Sequence, residues 1–75
     1  MYKTSDTPLA TFLIHQGFPL DTITYKNGQA SFVFSNNSDI LQQYVLQFKN
    51  GTATVNIRLY LDINRDLIKR IKEGI

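Results

Sequence analysis

The chain has 75 residues, enough for one domain and close to the smallest size at which a single apolar core holds without staples. Hydrophobic residues make up 43% and charged residues 19%, the balance of a globular chain and not of a disordered one. There is no cysteine, which excludes disulfides and thiolate metal sites, and the net charge of +2 is too small to argue for nucleic acid by itself.

In chain order, the first predicted element is a helix of about Pro8 to Gln16. Thr7 or Asp6 can cap it, and Pro8 suits the first helical position. Leu9, Phe12 and Leu13 form its inward face, Gly17 is the expected left-handed stop, and Pro19 prevents continuation. A hairpin follows over Thr22–Phe34. Asn27-Gly28 supplies the two positive-φ residues of a type I′ turn. That two-residue loop sets Tyr25 against Ala30, Ile23 against Phe32, Asp21 against Phe34, Thr24 against Ser31 and Thr22 against Val33. One side of the ribbon is then Ile23, Tyr25, Ala30, Phe32 and Phe34, and the other is mostly hydroxyl-bearing. A two-stranded ribbon is not stable alone in water, so the aromatic side must be covered.

Ser35-Asn36-Asn37-Ser38 reads as a turn in which Asn37 or Ser38 caps the next helix, with Asp39 favoured by the dipole in its first turn. Ile40, Leu41, Tyr44, Val45 and Phe48 then repeat at helical spacing, which favours Asn50-Gly51 as the end of that helix over the alternative of another hairpin turn. The last third has two readings. Ala53, Val55, Ile57, Leu59 and Leu61 alternate as a strand does, with Asp62 capping a shorter helix after it. Alternatively, Ile57, Tyr60, Leu61, Leu67, Ile68 and Ile71 form one apolar face of a helix from about Ile57 to Glu73. On that reading Asn64 interrupts the face, Leu59 lies off it, Asn56 is the cap, and Thr52–Val55 form a short third strand. Pattern alone leaves residues 57–61 open.

Tyr2-Lys3-Thr4-Ser5-Asp6, then Leu9-Ala10 and Leu13 before Gly17, resemble a family of short bacterial proteins known only as a domain of unknown function. The likeness runs through Phe32-Val33-Phe34, Phe48…Gly51, Val55, Arg58, Tyr60 and Leu67…Arg70-Ile71, nearly the whole chain. Where that family starts its last helix with proline this chain has Ile57, and the resemblance implies the long C-terminal helix here. It implies a fold and no activity.

No catalytic arrangement is legible. His15 is the only histidine, and late in the first helix it reads as an ordinary surface residue, without the carboxylate or nucleophile that catalysis requires beside it. One histidine and no cysteine leave only carboxylates as metal ligands, so no metal or other cofactor is expected. Asp62 and Asp66 lie four apart and are read as surface partners of Arg58, Arg65 and Arg70. The isolated glycines form no phosphate loop. Tyr25, Phe32 and Phe34 resemble a base-stacking platform, but a domain this small needs those rings in its core.

Charge is unevenly spread. Residues 1–55 carry Lys3, Lys26 and Lys49 against Asp6, Asp21 and Asp39, while residues 56–75 carry the whole excess. On the helical reading Arg58, Lys72, Arg65 and Lys69 fall within an arc of about 60°, the candidate binding residues of the chain. Such a stripe can follow a phosphate backbone or an acidic partner surface, although basic residues late in a helix also suit its dipole.

The expected fold is α+β: a small antiparallel sheet, built on the hairpin with a short third strand, covered on one face by amphipathic helices in the order α-β-β-α-β-α. The expected function is a non-enzymatic binding or interaction protein, its partner an unidentified protein or a second copy, with nucleic acid as the alternative. The lack of disulfides, of a signal-peptide pattern and of an apolar run near the roughly 20 residues that span a bilayer leads to the expectation of a cytoplasmic protein with no membrane partner.

Overall fold

In the computed structural model, which describes residues 1–74, Asn27 and Gly28 take φ values of 54° and 79°, the left-handed pair of a type I′ turn. They join β2 (Thr22–Lys26) to β3 (Gln29–Phe34). The register runs Thr22↔Val33, Ile23↔Phe32, Thr24↔Ser31, Tyr25↔Ala30, as the turn dictates. Asp21 is the exception: it lies outside the ladder and donates its N–H to the Val33 carbonyl at 2.9 Å.

The third strand is not Thr52–Val55. It is β1, Tyr2–Thr4, which pairs antiparallel with β3 and makes the sheet order β1-β3-β2. The element order is therefore β-α-β-β-α-α, still an α+β fold with a three-stranded antiparallel sheet. Thr52 to Asn56 lack ladder bonds for a specific reason. The preceding helix, α2 (Asp39–Asn50), ends on left-handed Gly51, and the Thr52 N–H turns back to the Gln47 carbonyl. Ala53 and Val55 then pack half-buried against the core as an apolar cover.

Phe32 and Phe34 are completely buried, so the aromatic side of the ribbon is the sheet's inner face. Tyr25, expected beside them, lies at the exposed hairpin end and donates its hydroxyl to the Arg70 carbonyl at 3.3 Å. The opposite face carries Lys3, Thr22, Thr24, Lys26, Gln29 and Ser31. Val33, also on that face, is buried because it sits in the central strand between Lys3 and Thr22.

The first helix, α1 (Thr7–His15), has Asp6 as its N-cap, with Oδ1 accepting the Leu9 N–H at 3.1 Å. It ends as the glycine requires: Gly17 at φ 100°, with the Phe18 N–H on the Leu13 carbonyl. Five consecutive residues, Leu9 to Leu13, are buried. A helix buried around its whole girth is surrounded, and α1 is the central helix, contacted by the sheet, by α2 and by the last helix, α3 (Ile57–Gly74). Phe12 meets Tyr44 edge-on and Phe48 at a tilt, with ring centroids 6.1 and 5.6 Å apart.

Ser38 caps α2, its Oγ accepting the Leu41 N–H. Leu41 and Val45 are buried and Tyr44 and Phe48 half-buried, whereas Ile40, expected on that inward face, is 60% exposed. Residues 57–61 are helix and not strand. No helix among the described residues is long and apolar enough to cross a membrane.

Candidate functional site

Helix α3 starts where Asn56 can cap it. The Asn56 side-chain oxygen accepts the Leu59 N–H at 3.0 Å and its carbonyl accepts the Tyr60 N–H at 2.9 Å. The Asn56 N–H donates to His15 Nε2 at 3.1 Å. His15 is thus half-buried and ties the end of α1 to the start of α3, a structural task that nothing in its sequence position announces.

The inner side of α3 is held to α1 along its length. Tyr60 donates its hydroxyl to the Pro8 carbonyl at 3.2 Å, Asn64 Oδ1 meets the Thr11 hydroxyl at 3.0 Å, and Leu67 is buried in the core. Asn64 therefore belongs to the buried side and does not interrupt it. Ile63 and Ile71 complete that side, half-buried. Of the residues expected inward, Ile57, Leu61 and Ile68 are instead exposed, at 66%, 49% and 40%. At 100° per residue the apolar arc from Ile63 round to Leu61 spans about 160°, wider than the roughly 100° stripe a single packing face covers. α1 takes one part of that arc and the remainder faces outward.

Beside this apolar strip lies the basic stripe, brought together on one arc as its spacing requires. Arg58 and Arg65 are strongly exposed, with side chains 90% and 80% accessible, and both reach Asp62, at 4.0 and 3.8 Å. Asp66 pairs with Arg70 at 3.4 Å. These surface pairs contribute at most about 1 kcal/mol each, so the arginines are only loosely held. Lys69 and Lys72 are exposed and have no ion pair among the described residues. Outward from the core, the helix thus presents first Ile57, Ile68 and Leu61, then Lys72, Arg65, Arg58 and Lys69.

Two hollows border the helix. One, of about 360 Å³, lies between Ile14, Leu20, Ile63 and Leu67, with Asp62, Asp66 and Arg70 along it. The other, of about 250 Å³, is lined by Phe12, Phe48, Gly51, Ala53, Val55 and Tyr60, under the Thr52–Asn56 segment. Asp6 stands near two phenols, Tyr2 and Tyr60. Burial first, and the Asp6 charge second, raise both above the ordinary tyrosine range. Among the described residues no three of His, Asp and Glu converge as metal ligands do. A family model described as "Domain of unknown function (DUF5659)" matches residues 1–74. Searches of curated proteins and of solved structures returned no match.

Proposed function

The chain belongs to that family of unknown function, and we propose that it is a small non-enzymatic binding module whose contact surface is the outer face of α3. One observation carries the reading: Ile57, Leu61 and Ile68 stand exposed in a line beside Arg58, Arg65, Lys69 and Lys72. Single exposed aliphatics are ordinary on a protein surface. An aligned set rimmed by one sign of charge is what binding faces present.

The test is affinity capture from extract of the source cell, with and without nuclease, comparing the natural chain with Leu61→Ser/Ile68→Ser. A species kept after nuclease by the natural chain and lost by the variant supports the reading. Turnover of a substrate in a broad activity screen, or identical capture by both proteins, overturns it. A second reading, favoured by the basic stripe alone, is nucleic-acid association. It requires capture to vanish on nuclease treatment and to fall with Arg65→Ala/Lys69→Ala.

A further inference from the structure

Building on the reading that the outer face of α3 binds, we infer that the partner is an acidic amphipathic helix. It lays its apolar stripe along Ile57, Leu61 and Ile68 and its carboxylates along Arg58, Arg65 and Lys72.

The spacing on α3 is that of a helix-pairing seam. Ile57, Leu61, Asn64, Ile68 and Ile71 alternate at four and three residues, the a/d interval of two helices side by side. Asn64 and Ile71 lean into the protein's own core, and the other three remain uncovered. Arg58, Arg65 and Lys72 recur every seven residues, each directly after a residue of the seam, which places them along one flank. From Ile57 to Lys72 the face is about 22 Å long, the reach of about four helical turns. A partner helix that matches it is apolar along its own seam and acidic on the side that meets this flank.

A second copy of the chain does not fit. Parallel pairing needs the other flank of the seam, but Leu67 there is buried and the Tyr60 hydroxyl is engaged with Pro8. Antiparallel pairing sets Arg58, Arg65 and Lys72 against their own counterparts, and like charges repel. A phosphate backbone is also a poorer match. The aliphatic strip offers it no hydrogen bond, and Asp62 already stands between Arg58 and Arg65. An anionic bilayer gains little from three aliphatic side chains and meets Asp62 and Asp66 on the next arc. A partner carboxylate has only to displace Asp62 from arginines that it holds weakly.

The experiment uses the full chain and four labelled probes, read by fluorescence anisotropy at low and physiological salt. The probes are a 21-residue peptide with Leu on its a/d stripe and Glu on its flanks, its Lys-flanked twin, a DNA duplex, and vesicles containing phosphatidylserine. The expected result is a Kd on the order of micromolar for the acidic peptide, at least about tenfold tighter than for the Lys twin. Arg65→Glu/Lys72→Glu is expected to reverse that preference, and Asp62→Asn to tighten the acidic peptide several-fold. Leu61→Ser/Ile68→Ser should weaken it about tenfold or more while circular dichroism stays unchanged, because both side chains are already exposed. Tighter binding of duplex or vesicles, lost with the same substitutions, overturns the helical partner and leaves α3 as the binding face. Equal binding of the two peptides, or none by either, overturns the inference, and cross-linking from Leu61 then judges the face independently.

Discussion

Thr11 and Asn64 meet across the contact between α1 and α3, the Thr11 hydroxyl lying 3.0 Å from Asn64 Oδ1 and 2.8 Å from the Thr7 carbonyl. Thr11 is fully buried, so this hydroxyl would be costly without partners. Together with the Tyr60–Pro8 bond and buried Leu67, the pair holds the face of α3 that leaves Ile57, Leu61 and Ile68 outward.

Removing one member of the pair should therefore cost more than removing both. Thr11→Val is expected to lower stability by about 1–2 kcal/mol, because Asn64 is left half-buried without its partner. Thr11→Val with Asn64→Leu should recover most of that loss, since apolar groups of similar shape replace both. Urea unfolding of the single and double variants measures the coupling, and strictly additive losses would refute it.

The inner sheet face is the second quantity to test. Phe32 and Phe34 have no exposed surface, and Phe→Ala in a core costs about 3–5 kcal/mol. A domain of this size has about that much stability in all, so either alanine variant should be largely unfolded by circular dichroism at 25 °C. Val33→Thr, on the opposite face, should leave the chain folded.

Local chemistry made the hairpin, the helix ends and the register readable in the residues. A type I′ turn at Asn27-Gly28 admits one pairing, and Ser38, Gly17 and Gly51 mark ends by side-chain or backbone demands that no tertiary contact alters. Global placement was harder to read. Three residues carry too little alternation to announce β1, and its pairing with β3 closes a long loop around α1. Tyr2-Lys3-Thr4 stands out in the sequence only through the family likeness. The basic stripe was legible because helical period alone places it. The apolar strip was not, because Ile57, Leu61 and Ile68 look identical in sequence to residues that are buried. Only the excess width of the apolar arc marks them.

The helix starts give a third set of outcomes. Asp6→Ala, Ser38→Ala and Asn56→Ala each remove the side-chain acceptor of one N-terminal amide, from Leu9, Leu41 and Leu59. Each should cost about 1 kcal/mol, a fall in Tm of about 4–8 °C. Asn56→Ala should also speed hydrogen exchange at Leu59 while leaving Leu67 protected. Uniform acceleration across α3 would show that the cap does not act locally.

Alkaline pH should weaken the fold through Tyr2 and Tyr60. Burial and the nearby Asp6 charge raise both above the ordinary 10.0, so the folded chain holds these phenolic protons more tightly than the unfolded chain. Their contribution is complete below pH 10.0 and is lost as pH rises through the raised folded values. In thermal melts between about pH 9 and 11, Tyr60→Phe should show a shallower loss of stability than the natural chain, although it starts lower without the Pro8 hydrogen bond. Parallel curves would contradict this.

Photo-cross-linking addresses the binding face most directly. A benzoylphenylalanine placed at Leu61, and in a separate protein at Thr24 on the outer sheet face, is irradiated in nuclease-treated extract of the source cell. A discrete protein adduct from position 61, with none from position 24, is the predicted result. An adduct from position 24 alone would contradict the assignment to α3.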